Sequence, residues 1–289
     1  MLTVTCIPAY NEEQTIVDVI KRASKYVDKV IVCDDGSEDN TSRKAEDAGA
    51  IIIKHDKNLG KGASFKSLFK VAKELNAEII VTIDGDGQFL PEEIPKLMKP
   101  IIENRADVVI GYRFTDINQV PYYRKVGNKV LDKLTNIASE LPFRDSQSGF
   151  RAYSKRAIEL VRFHSDGFSV DSEILIDAAK KGLRISEEHV TVLYKTKGKT
   201  STKNPIVHSA GVVASLIELI AVKHPLKYLG IPGLILLSVG IFYSINVMIE
   251  FNDTRYFSVP TTLIAIGSLL TGLMIFLMAI LLFAIRTRK

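Results

Sequence analysis

Short apolar runs alternate with helical stretches along the first 110 residues. Residues 2–7, 29–33, 50–54, 79–83 and 107–110 are β-branched and nearly continuous in apolar character, which predicts strands buried on both faces. Residues 12–24, 42–48, 61–75 and 91–104 fill the intervals as helices, the last opened by Pro91 and Glu92. Such an alternation predicts a parallel sheet with crossover helices. Farther on, Val126, Val130, Leu134, Ile137 and Leu141 share one helical face within 121–141. Residues 145–153 read as irregular and polar, 155–161 and 172–182 as helices, and 184–192 as an edge strand. The segment 206–222 is apolar almost all round except for His208, Ser215 and Glu218. It is too short for a span and fits a helix lying on a bilayer surface, with packing against the globular part as the alternative.

The end of the chain follows a different pattern. About 22 uncharged residues lie between Lys227 and Glu250 and about 30 between Arg255 and Arg286, each enough to cross a ~30 Å hydrocarbon core as a helix. Lys223 and Lys227 precede the first stretch, and Arg286, Arg288 and Lys289 follow the second. The positive-inside rule then places both termini in the cytoplasm. Residues 1–8 carry no basic n-region or cleavage site, so the globular part is expected to stay cytosolic. The expected organisation is a domain over 1–205, an interface helix and linker over 206–228, and a two-helix anchor over 229–289.

Charge changes this picture only locally. The net charge of +5 is concentrated in Lys195, Lys197, Lys199, Lys203, Lys223 and Lys227, whereas residues 1–193 carry 28 basic and 30 acidic side chains. A basic stretch beside a span suits anionic lipid head groups, and without interleaved aromatic residues it argues against a nucleic-acid partner. Cys6 and Cys33 lie in apolar runs and read as small buried hydrophobes.

Candidate chemistry collects just after the predicted strands, where open α/β sheets bind ligands. Asp84-Gly85-Asp86-Gly87-Gln88 follows the fourth run. Two carboxylates one residue apart can share a divalent cation, which a nucleotide diphosphate needs both to bind and to depart. Pro8-Ala9-Tyr10-Asn11-Glu12-Glu13 follows the first run and Asp34-Asp35-Gly36-Ser37 the second. A carboxylate there can accept from a nucleobase or ribose, although a turn with an N-cap explains the second block as well. Asn58-Leu59-Gly60-Lys61-Gly62 opens a helix and is compatible with diphosphate or sugar contact, without the spacing of a nucleotide P-loop.

In this order, and with Ser148-Gly149-Phe150-Arg151 and Phe168-Ser169-Val170-Asp171-Ser172-Glu173 downstream, the blocks resemble family 2 glycosyltransferases. The likeness covers residues 2 to about 205 and is strongest to dolichyl-phosphate mannose synthases and related polyprenyl-phosphate hexose synthases. It implies a GT-A fold, a nucleotide-sugar-binding Rossmann-like α/β domain, followed by the interface helix and two transmembrane helices. It implies metal-dependent transfer, with Mg²⁺ or Mn²⁺, of a hexose from a nucleotide sugar to polyprenyl or dolichyl phosphate with inversion, GDP-mannose being favoured over UDP-glucose and UDP-N-acetylglucosamine. Pro8, Tyr10, Glu12 and Asp35 would hold the nucleotide, with Lys61 and Lys195 toward the diphosphate, and Asp84, Asp86 and Gln88 would form or support the metal site. Arg124, Arg144, Ser148 and Arg151 lie where relatives bind the lipid phosphate, and Asp171 and Glu173 would orient the sugar or touch the metal shell. A lipid phosphate with a second pKa near ~6 is already largely ionised and needs cations rather than a general base. The alternatives are a transferase acting on a glycan or a diphosphate-linked lipid, for which Asp171 would be the base, and an idle anchoring subunit. A homo-oligomer is left open.

Overall fold

A computed structural model of the chain describes residues 1–113, 122–164, 170–193 and 225–287. The chain divides into two compact units, Met1–Leu216 and Ile217–Lys289. In the first unit β1 (Thr3–Ala9), α1 (Ile16–Ala23), β2 (Lys29–Asp34), α2 (Thr41–Asp47), β3 (Ile51–Lys54), α3 (Lys61–Glu74) and β4 (Ile79–Thr82) succeed one another as the alternation predicts. They are followed by a 3₁₀ turn (Pro91–Glu93), α4 (Ile94–Ile102), β5 (Val108–Arg113), α5 (Tyr122–Ser139), β6 (Arg151–Ser154), α6 (Lys155–Leu160), α7 (Val170–Lys180) and β7 (Ile185–Val190).

The strands form one sheet in the order β3-β2-β1-β4-β6-β5-β7. Successive side chains of a strand point to opposite faces, so the continuous apolar runs serve two cores. Val4, Cys6, Ile31, Ile80 and Ile110 pack with Phe65, Leu68 and Phe69 of α3 and Ile174 of α7. Ile7, Val30, Val32, Val81 and Val109 pack on the other face with Ile16 and Ile20 of α1 and Leu97 of α4. Each such fully buried side chain contributes roughly 1.5–3 kcal/mol, so the sheet is a rigid platform for its loops. Cys6 and Cys33 are free and buried within it, as expected.

The sheet is not wholly parallel. β6 lies between β4 and β5 and runs antiparallel to both, with Thr82 opposite Arg151 and Ile110 opposite Arg151 on its other side. Its residues fall within and beside the stretch that reads as irregular, because a four-residue strand that begins with arginine carries no apolar periodicity. β7 is the edge strand expected, pairing only with β5 among the described strands, and its Glu187, Glu188 and His189 suit an edge. The chain order reverses between β1 and β4, since β2 and β3 extend from one side of β1 while β4 pairs on the other. That reversal opens a crevice at the carboxyl ends of β1 and β4.

In the second unit a short π-helical turn (Leu226–Gly230) leads into α8 (Ile231–Thr254), and α9 (Val259–Thr287) folds back against it. Both helices are long and apolar enough to cross a membrane, with mean hydropathy of 1.9 and 2.6 in their most apolar windows, of which only 11% is buried. Helices this apolar and this uncovered are not the core of a soluble domain. A Cβ at Gly272 would come within 2.7 Å of the Leu237 backbone nitrogen, so glycine lets the two helices approach closely. The expected interface helix over 206–222 lies outside the described residues.

Candidate active site

The loops at the crevice are tied to one another before any ligand is considered. The Asn11 backbone N–H donates to Ser37 Oγ (2.9 Å) and the Glu12 N–H to Thr41 Oγ1 (2.8 Å), joining the loop after β1 to that after β2. The Thr15 hydroxyl donates to Gly85 O (2.7 Å) and so holds the loop after β1 against the one after β4. Pro8 is the penultimate residue of β1, and Tyr10, just beyond the strand, is exposed.

At the centre are three carboxylates. Burial, and then Asp84, push Asp86 up to about 6, while the Gln88 N–H donates to Asp86 Oδ1 (2.9 Å). Burial, and then Asp86 and Asp84, push Glu12 up to about 7. Gly149 closes over Asp84: a Cβ on it would lie 2.8 Å from Asp84 Cγ. Among the described residues no group of three or more His, Cys, Asp or Glu side chains is arranged to hold a metal ion. Asp84 and Asp86 are the residues that could hold a cation, with a bound phosphate and water completing its coordination.

Lys61 enters from the start of α3. Its Nζ lies 3.1 Å from Asp84 Oδ1 and 3.1 Å from Asp171 Oδ2. Burial lowers the affinity of this ammonium for its proton, but Asp171 and Asp84 outweigh burial and raise its pKa above the ordinary lysine value. Asp35 sets the loop that carries it: its Oδ1 accepts from the Leu59 N–H (3.0 Å) and its Oδ2 from the Gly60 N–H (2.7 Å). His55 Nδ1 donates to Asp35 Oδ1 (2.7 Å), and His55 Nε2 lies 2.9 Å from Ser67 Oγ. A carboxylate can only accept, so Asp35 acts here as the fastener of the 59–60 loop.

The residues expected at the acceptor divide sharply. Arg151 is fully buried, with Nη1 donating to Asp171 O (2.8 Å) and Nη2 to Ser146 O (2.7 Å). It is a pillar under Asp171 and not an open phosphate fork. Ser148 is likewise fully buried, its Oγ accepting from the Phe150 N–H (3.3 Å). Arg144 is exposed, lying over the Tyr112 ring at 4.9 Å with Nε 3.7 Å from Glu187. Residue 124 belongs to the first turn of α5, and the Arg124 side chain lies outside the described residues. Of the late acidic pair, only Asp171 is placed beside Lys61; Glu173, two residues on and on another face of α7, accepts from the His164 N–H (2.8 Å). Phe168, Ser169 and Lys195 lie outside the described residues; the Leu193 N–H donates to Gln88 O (2.8 Å), which places residue 193 beside the acidic loop.

Sequence reasoning missed Arg113. It closes β5, and its Nε and Nη2 grip Asp145 at 2.6 and 2.7 Å. Its charge opposes the rise in the Asp86 pKa, so it acts on the acidic pair across the crevice. The available signal was its place at the carboxyl end of a strand.

The family model described as glycosyl transferase family 2 matches residues 5–161. The chain is 35% identical over 211 residues to the UDP-N-acetylglucosamine–dolichyl-phosphate N-acetylglucosaminyltransferase of Methanococcus voltae, covering 65% of this chain and 84% of that protein. It is 28% identical over 280 residues to the glycosyltransferase AglJ of Haloferax volcanii, covering 95% and 90%. The crystal structure of glucosyl-3-phosphoglycerate synthase from Mycobacterium tuberculosis, in complex with Mn²⁺, UDP-glucose and phosphoglyceric acid, matches with a TM-score of 0.62 at 24% identity, over 76% of this chain and 80% of that one, a likeness of fold.

Proposed function

Since the chain belongs to glycosyl transferase family 2 and has the GT-A fold, we propose that it transfers a hexose from a nucleotide diphosphate sugar to the phosphate of a polyprenol. The observation that carries the acceptor is the state of Asp171. A hydroxyl acceptor would require a free carboxylate as base, and Asp171 is 4% exposed with Lys61 on one oxygen and Arg151 Nη2 3.9 Å from the other. A lipid phosphate has no such requirement. The name of the Methanococcus voltae relative, which joins a nucleotide sugar to dolichyl phosphate, supports the same reading.

In this mechanism a phosphate oxygen of the acceptor attacks the anomeric carbon as the bond to the donor β-phosphate breaks, and the nucleoside diphosphate departs. Asp84 and Asp86 would hold Mg²⁺ or Mn²⁺, which neutralises the leaving diphosphate when bound. Asp35 and the backbone it fastens shape the nucleotide side, with Pro8, Tyr10 and Glu12 at its wall. Arg113, with Arg124 and Arg144, supplies positive charge for the acceptor. GDP-mannose is the donor expected from the sequence, and the name of the relative at 35% identity supports a UDP sugar.

The two spans tether the enzyme to the bilayer that carries its acceptor, with both termini cytoplasmic. The test is a panel of radiolabelled GDP-mannose, UDP-glucose and UDP-N-acetylglucosamine with polyprenyl phosphate in detergent. One donor should move label into the organic phase as an acid-labile phosphodiester. Label appearing only on a soluble glycan, or on a lipid diphosphate, would overturn the acceptor assignment.

A further inference from the structure

Lys61 breaks a local rule. It is the first residue of α3, where the positive end of the helix dipole disfavours a cation, and its side chain is only 11% exposed. Such a residue stays where it is because something stronger holds it, and here two carboxylates do, each at 3.1 Å. Those carboxylates are not equivalent. Asp171 is 4% exposed and faces Arg151 on its other oxygen, while Asp84 is 29% exposed at the floor of the crevice. Gly149 closes over Asp84, so this carboxylate has little room to turn from one partner to another without a change in what Lys61 holds.

We propose that Lys61 is an internal counter-ion that competes with divalent metal for Asp84, so that metal loads with the nucleotide diphosphate and not before it. The inference rests on the metal reading of Asp84 and Asp86. With no ligand bound, the ammonium neutralises part of the acidic centre and repels a dication. A nucleoside diphosphate brings the negative charge that makes the dication welcome. Asp84 then exchanges its lysine for the metal, and Lys61 stays anchored on Asp171. The pair Lys61–Asp171 therefore works as a positioning device, acting through Asp84.

The experiment is Mn²⁺ titration of the full chain in detergent, read by the electron paramagnetic resonance of free Mn²⁺, alone and with saturating UDP or GDP. The wild type should bind Mn²⁺ weakly alone and more tightly with one of the nucleotides. K61M should bind Mn²⁺ alone on the order of tenfold more tightly, since a full charge beside the ligand is gone, and should gain less from the nucleotide. K61Q, which keeps a polar group, should behave as K61M does, and K61R, which keeps the charge, should remain near the wild type. If K61M and K61Q, folded by thermal melting, bind Mn²⁺ alone no better than the wild type while D86N abolishes binding, the counter-ion role is wrong and the metal site stands. If D84N and D86N leave Mn²⁺ binding unchanged, the metal reading falls, and this inference with it. A wild type whose Mn²⁺ affinity ignores both nucleotides would overturn the loading order.

Discussion

On the β1–β4 side of the crevice, burial and the neighbouring carboxylates raise the pKa of both Glu12 and Asp86, whereas on the β5–β6 side the cations already have partners. Arg113 is gripped by Asp145 and Arg151 by two carbonyls. The acidic side is held under mutual repulsion by a fold that gains its stability elsewhere, in the two cores of the sheet. The basic side is relaxed. Excess repulsion built into rigid loops marks where a cationic ligand is wanted.

The largest expected effect breaks the acidic side. Asp86→Ala removes one of the two carboxylates placed to share a cation, and metal stabilisation of a leaving group is worth several kcal/mol. Transfer of label to polyprenyl phosphate should fall on the order of a thousandfold at saturating metal. Undiminished transfer would remove Asp86 from the metal site. Gly149→Ala tests the same side through its packing. The new methyl would overlap the Asp84 carboxylate, and a misplacement of about 1 Å can cost ~100-fold in rate. The melting temperature should move far less than the rate. A variant that loses stability and rate together would show that Gly149 serves the fold and not the placement of Asp84.

The same contrast governs how much was legible beforehand. The acidic loops follow parallel strands with continuous apolar runs, so alternation located the strands and the strand-end rule located Asp84, Asp86, Glu12 and Asp35. Lys61 was legible as a residue at a helix start, but its bridge between Asp84 and Asp171 joins positions 110 apart in the chain, and no local pattern carries such a contact. β6 was hidden because it is four residues long and opens with a buried arginine. An arginine in sequence reads as a surface cation or a phosphate fork, and only its burial shows that Arg151 donates to carbonyls instead. Glu173 was paired with Asp171 by proximity in sequence, which the helix separates onto different faces.

The smallest effects expected sharpen the basic side, through the Arg113–Asp145 pair. Arg113→Ala should raise the acceptor concentration for half-maximal rate about tenfold and leave donor dependence nearly unchanged, as loss of one charged contact to a phosphate would. Equal shifts for donor and acceptor would assign Arg113 to the diphosphate. The pair also makes a pH signature. Burial raises the Asp145 carboxyl, but Arg113 outweighs burial and holds it below the ordinary aspartate value of 3.8. A group depressed in the folded state stabilises the fold above its unfolded pKa and loses that contribution as pH falls through the folded one. Wild-type stability should therefore decline more steeply below about pH 4 than that of Asp145→Asn, which has no proton to take up there. Measured by urea unfolding between pH 7 and pH 3, parallel declines would show that Asp145 is not held below its ordinary value in the folded state and that the pair adds no pH-dependent stability.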